Sequence, residues 1–210
     1  VSNGGKWTVV DGIGGVRSIY EQDGSDIVSL VEPSQEMLQA VSEEHEATIA
    51  YVRTGVGKLS APINSYFALV RDDPSVQIVT DAQKRYVLRL LEGSEYDGLS
   101  VLSASAPFKA GGRGGDSYFT IIPAGEIALK HVADLYVYPN TIRAVAVDGD
   151  QVREWLEMSS GVFNQIDPGN HDAQELINRS FSSYNFDVID GVTYRIDVTQ
   201  APRYDDDGNL

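Results

Sequence analysis

Residues 106–115 read A-P-F-K-A-G-G-R-G-G, and they open into Y-F-T-I-I-P-A-G-E-I at 118–127 and A-D-L-Y-V-Y-P-N-T at 133–141. A loop with four glycines thus leads into a run of β-branched and aromatic residues with no helical pattern between them. Glycine tolerates backbone angles and close approaches that a Cβ forbids, so main-chain N–H groups can turn toward a ligand. Arg113, inside the loop, carries a guanidinium suited to a phosphate or another anionic oxygen. Lys109 reads as a surface lysine. Taken alone, the same composition also describes an ordinary flexible connection.

Outward from this loop, strand-type enrichment recurs at 118–122, 142–147 and 192–198. Helical patterns flank these runs. One is expected over 81–92, where Thr80-x-x-Gln83 has the form of a capping box and Ala82, Tyr86, Val87, Leu90 and Leu91 form a buried side before Gly93. Another follows Asp150 and buries Val152, Trp155 and Leu156 before Gly161. Upstream, Pro33-Ser34 starts a helix over 34–54 that Gly55 stops. Its stripe is Leu38, Val41, His45, Ile49 and Val52, and Glu43, Glu44 and Glu46 form a solvated face. Residues 1–32 read as short strands at 6–10 and 16–20, split by Asp11-Gly12 and Gly14-Gly15. Strands and helices intermix without a βαβ period. The expected class is α+β, a mixed sheet with packed helices, rather than a doubly wound fold.

The 210 residues include 31 acidic and 16 basic side chains, a formal charge of −15. Such a surface repels polyanions, which argues against nucleic-acid polymers but leaves room for a single nucleotide beside one local arginine. The absence of cysteine removes disulfides, zinc–thiolate sites and a cysteine nucleophile. No apolar run approaches the roughly 20 residues of a membrane-spanning helix, and no membrane partner is expected. The N-terminus V-S-N-G-G-K-W has no signal-peptide pattern.

Tyr138-Pro139-Asn140 follows an apolar, strand-like run that proline should end, leaving Tyr138 at an edge. An exposed aromatic face stacks on a nucleobase, and the same residue also serves to close a core. Asp190-Gly191 reads as a two-residue hairpin turn. Gly169-Asn170-His171-Asp172 has the form of a metallophosphoesterase signature. A metal pair needs several ligands, however, and the chain has only His45, His131 and His171. Asp172 is instead placed to cap a helix over A-Q-E-L-I-N. Asp205-Asp206-Asp207-Gly208 lacks the spacing of a calcium loop and reads as a solvated turn. No G-x-S-x-G elbow is present.

Beyond the strings quoted above, P-I-N-S-Y-F-A-L-V-R-D-D-P-S-V-Q-I-V from Pro62, E-W-L-E-M-S-S-G-V-F-N-Q-I-D from Glu154 and Y-N-F-D-V-I-D-G-V-T-Y-R-I-D-V-T from Tyr184 span most of the chain. Together they resemble the C-terminal, nucleotide-recognising region of the bacterial bifunctional 2′,3′-cyclic-nucleotide 2′-phosphodiesterase/3′-nucleotidases, within the 5′-nucleotidase family. The resemblance implies that residues 1–32 are the tail of a catalytic metallophosphoesterase domain. It makes 33–54 an inter-domain linker helix and 55–210 an incomplete nucleotide-recognition domain. It implies Tyr138 as the stacking platform, Asn140 as a polar contact, Gly191 as backbone close to the nucleoside, and Arg113 facing the phosphate or ribose end. The second aromatic of the base clamp is expected beyond Leu210. The resemblance also implies a periplasmic parent enzyme whose divalent metal pair lies in its own N-terminal catalytic domain. That enzyme opens 2′,3′-cyclic nucleotides to 3′-nucleotides and releases nucleoside and phosphate. No catalytic or metal-binding residue is expected in this chain, which alone should be inactive. The alternative is a non-catalytic module that grasps a nucleoside-like small ligand.

Overall fold

The structure, a computed structural model, describes residues 2–4, 6–24, 26–111, 114–205 and 208–209. The chain divides into two compact units, Val1–Ala50 and Tyr51–Leu210.

In the first unit, β1 (Ser2–Asn3) pairs with β2 (Lys6–Trp7), and β3 (Tyr20–Asp23) pairs with β4 (Asp26–Ser29), both antiparallel. Residues 8–18 form no strand, so the run expected over 16–20 begins only at Tyr20. The helix α1 (Gln35–Val52) follows within two residues of its expected bounds, and the division between the units falls in its last turn. Ser34 starts it: the Leu38 N–H donates to the Ser34 carbonyl at 3.0 Å. The expected stripe is present in the sequence but is not buried: Leu38 and Val41 are exposed and Ile49 and Val52 only partly covered.

The second unit contains three antiparallel ladders. β5 (Gly55–Leu59) pairs with β9 (Gly125–Ala128), β6 (Ile63–Asn64) with β8 (Ile121–Ile122), and β7 (Ser103–Ser105) with β10 (Val188–Asp190). The helices are α2 (Pro74–Leu91), α3 (Leu129–Leu135) and α4 (Gly149–Ser159). The α+β class is as expected. Its strand pairings, among the described residues, are separate two-stranded antiparallel ladders. α2 packs against β6, β7, β10 and α3. The core joins Ala68, Leu69, Val76, Ala110, Val162, Phe181 and Phe186, with Met158, Phe163 and Ile177 packed on it.

α2 begins seven residues before the expected Asp81. Asp73 is its cap: Oδ1 accepts from the Ser75 N–H at 2.9 Å and the Ser75 hydroxyl at 2.7 Å, and Pro74 occupies the first helical position. Thr80 therefore lies inside the helix, buried, its hydroxyl donating to the Gln77 carbonyl at 3.0 Å. Gln83 accepts from the Ser103 hydroxyl instead of closing a capping box. The buried side is Ser75, Val76, Thr80 and Val87, while Ala82, Tyr86 and Leu90 are exposed. α4 carries a real capping box, in which Asp148 Oδ1 accepts from the Gln151 N–H and Gln151 Oε1 accepts from the Asp148 N–H, both at 2.9 Å.

Three other expectations are corrected. Residues 142–147 and 192–198 form no strand, and the helix over A-Q-E-L-I-N does not exist. A β-branched run becomes a strand only when a neighbour supplies its ladder. No such neighbour lies beside 142–147 among the described residues, and Val145 is 69% exposed. Residues 174–178 lie extended because they bond to residues 162–164. Asn164 N–H donates to the Leu176 carbonyl, the Asn164 amide donates to Glu175 and Ile177, and Asn178 N–H donates to Val162.

The cap on α2 is open to a direct check. Asp73→Ala is expected to lower the unfolding free energy in urea by about 1–2 kcal/mol, and Asp73→Ser by only a few tenths. Equal losses in the two variants would rule out capping as the role of Asp73.

Candidate functional site

The Gly-rich loop is tied down at its root. The Ser65 hydroxyl donates to the Lys109 carbonyl and accepts from the Thr120 N–H at 2.9 Å. Lys109 Nζ pairs with Asp134 Oδ1 at 2.5 Å and sits 5.5 Å from the centroid of the Tyr118 ring. Lys109 is thus a half-buried structural tie rather than a surface lysine. The Gly111 N–H donates to the Tyr118 carbonyl at 2.7 Å, which closes the loop against the chain leading into β8. Arg113, the expected anion contact, lies outside the described residues.

The apolar run before Tyr138 is the end of α3, not a strand. His131 decides this, because its Nδ1 accepts the Ala128 N–H at 2.9 Å and satisfies a donor at the start of the helix. Beyond α3 the Phe108 ring lies between two tyrosines in T-shaped contacts. Tyr136 is at 4.8 Å and 78°, and Tyr138 is at 5.6 Å and 70°. Tyr138 remains 53% exposed. The Asn140 N–H donates to the Tyr138 carbonyl at 2.8 Å, and its side-chain amide donates to the Tyr136 hydroxyl at 3.3 Å. Phe108 and Tyr136 escaped the sequence reading. The signal available for Tyr136 was its spacing from Tyr138, since residues two apart in an extended segment share a face. The partnership of Phe108 is purely tertiary.

Tyr136 and Asn140 line an open, largely apolar groove of about 1470 Å³. Lys84, Leu102, Ile189 and Val192 line it as well, so the Gly191 turn borders the same groove as Asn140. Gly191 has φ +97°, and a Cβ there would lie 2.7 Å from Leu102 Cδ2. The expected hairpin does not form, because β10 pairs backward with β7 and no strand follows the turn. Lys84 Nζ reaches Asp190 Oδ2 at 3.0 Å and holds the turn to α2.

Asp187 also lines the groove. Burial pushes its carboxyl above the usual carboxylate value, opposed by the Trp155 indole N–H, which donates to Oδ2 at 2.8 Å. His171 is exposed in a loop closed by its neighbours, with Gly169 N–H donating to Asp167 and Asp172 N–H to Asn170. Asp172 therefore caps no helix. Among the described residues no three His, Asp or Glu side chains converge as a metal donor set. Asp205 accepts from Asn209 in a closed turn, with Asp206 and Asp207 outside the described residues.

The sequence model of the 5′-nucleotidase C-terminal domain matches residues 52–206. The chain belongs to that family. It is 49% identical over 206 residues to the trifunctional nucleotide phosphoesterase of Bacillus subtilis, covering 98% of this chain and 14% of that protein. It is 44% identical to the 2′,3′-cyclic-nucleotide 2′-phosphodiesterase/3′-nucleotidases of Salmonella typhimurium and Haemophilus influenzae, covering 97% and 98% of this chain and 32% of each relative. The chain thus spans about a third of the length of those two enzymes, and less of the first. A crystal structure of a Staphylococcus aureus protein described as a 5′-nucleotidase, in complex with alpha-ketoglutarate, superposes with a TM-score of 0.55 at 20% identity. It covers 85% of this chain and 32% of that one, which supports the fold.

Two outcomes are expected at the groove. Gly191→Ala should cost about 1–3 kcal/mol in urea unfolding, from its positive φ and the Leu102 contact; a neutral effect would show that the turn relaxes freely. For Asp187, the folded state binds the proton more tightly than the unfolded chain. Stability from this group therefore falls as pH rises from 3.8 through its raised value. Asp187→Asn, which still accepts from the indole, should be more stable than wild type at pH 7 and lose that advantage below about pH 3.8. An advantage independent of pH would contradict the burial argument.

Proposed function

We propose that this chain is the nucleotide-recognition part of a metal-dependent phosphoesterase. The parent enzyme converts 2′,3′-cyclic nucleotides to 3′-nucleotides, and these to nucleosides and phosphate. The observation that carries this reading is the Tyr138 ring, half exposed in edge contact with Phe108 and two residues before Asn140, which lines the groove and whose amide donates to Tyr136. The family and the names of the 43–49% identical relatives support the substrate class.

In this reading Tyr138 stacks on the base, Asn140 donates to or accepts from the nucleoside, and the Gly191 backbone approaches it where a side chain has no room. Arg113 takes the anionic end. These residues bind and orient; the reacting phosphorus is presented to a divalent metal pair in a separate catalytic domain, which supplies activated water and Lewis-acid stabilisation. Residues 1–32 belong to that domain and 33–54 link it to the recognition domain, in a periplasmic parent. The acidic surface leaves single nucleotides, not polymers, as partners.

A titration of the protein with adenosine, 3′-AMP and 2′,3′-cyclic AMP, followed by amide and tyrosine NMR shifts, tests the assignment. Saturable shifts should centre on Tyr138 and Asn140. Tyr138→Ala should weaken all three ligands by about tenfold or more, corresponding to roughly 1–3 kcal/mol for one stacked base. Arg113→Ala should weaken the two phosphorylated ligands and spare adenosine. Unchanged binding in Tyr138→Ala, or no shifts at millimolar ligand, would overturn the site.

A further inference from the structure

The segment that carries Tyr138 is not itself held by a ladder: residues 136–140 follow a seven-residue helix and pair with no strand among the described residues. Phe108 is held on both flanks. Pro107 before it is buried, and Lys109 after it is tied through its carbonyl to Ser65 and through its ammonium to Asp134. Of the three rings, the fixed one is therefore Phe108, and the two tyrosines meet it in the edge-to-face geometry that aromatic quadrupoles favour. Tyr136, in turn, presents its hydroxyl to the Asn140 amide.

We propose that Phe108 is a positioning residue for the nucleoside grip. Its ring fixes the angle of the Tyr138 platform and, through Tyr136, the orientation of the Asn140 amide. The inference rests on the reading of Tyr138 and Asn140 given above. Phe108 also belongs to the loop that bears Arg113, so one aromatic contact links the chain at the anionic end of the ligand to the chain at the base end. A platform held at its working angle binds without the cost of freezing its χ angles; one that rotates freely pays that cost at each binding event.

The test is an adenosine titration of the full chain by NMR in four variants: Phe108→Leu, Phe108→Tyr, Tyr138→Leu and Phe108→Leu with Tyr138→Leu. Phe108→Leu should weaken adenosine roughly three- to tenfold, the range of one to two aromatic pair contacts. It should also move the Tyr138 ring-proton resonances in the free protein, as the ring current of Phe108 is lost. Phe108→Tyr should restore both. In the Tyr138→Leu background the same change should cost clearly less, leaving only the part that acts through Tyr136 and Asn140. Unaltered affinity in Phe108→Leu, or an equal loss with and without Tyr138, overturns the proposal. If Tyr138→Leu leaves binding untouched, the platform reading falls and takes this inference with it; if Tyr138→Leu weakens binding while Phe108→Leu does not, only the inference falls. Should Phe108→Leu fail to fold, Tyr136→Phe keeps the ring and removes the hydroxyl. Its loss of affinity should then be non-additive with that of Asn140→Ala, and additivity would equally overturn the link to Asn140.

Discussion

The Ser65 hydroxyl, shared between the Lys109 carbonyl and the Thr120 N–H, is the constraint on which the candidate site depends. Ser65 is buried, so neither bond competes with bulk water, and a lost partner there would leave a polar group unsatisfied. The two bonds hold the Gly-rich loop against the β6–β8 ladder. The Thr120 hydroxyl donates to the Asp134 carbonyl at 2.8 Å, and the Asp134 carboxylate pairs with Lys109. Loop, ladder and the end of α3 are thereby joined within a few residues. Phe108 and Tyr136 meet because each lies within two residues of one of these anchors.

The second unit has a packed side and an open side. Phe181, Phe186, Val162 and Val76 gather under the loop and the start of α2. On the other side Ile78, Tyr86, Ile142, Val145 and Val147 line a groove while remaining exposed. The buried ends of α2 and α4 contribute to the core, and their outer turns do not. The polar features that survive in the groove, the Trp155–Asp187 bond and the Lys84–Asp190 pair, tie α4 to the residue before β10 and α2 to the last residue of β10.

Local chemistry was legible in the sequence where one residue decides it. The α1 bounds followed from Ser34 and Gly55, and the α+β class followed from the mixture of patterns. The start of α2 was missed because Asp73-Pro74 is a stronger start than Thr80-x-x-Gln83, and two adjacent signals compete. The strands at 142–147 and 192–198 and the helix over 173–178 were misread for a different reason. Their intrinsic preference is real, but whether it is realised depends on distant groups such as the Asn164 side chain. Tyr138 and Asn140 became candidates only through the family resemblance of their string. Phe108 did not, because its contacts join residues about thirty positions apart, and nothing in a linear reading marks that meeting.

The run from Ile142 to Val147, which pairs with no strand among the described residues, has a further consequence, for the behaviour of the molecule in solution. An extended apolar segment with open N–H and C=O groups is a template for any other strand, including that of a second molecule. What opposes such pairing is the net charge of −15, which makes every encounter between two copies repulsive. That protection is long-range and ionic, so it weakens when salt screens it or when the carboxylates take up protons. The colloidal stability of this chain is thus set by its surface acids, and acid or high salt lowers the barrier to self-association.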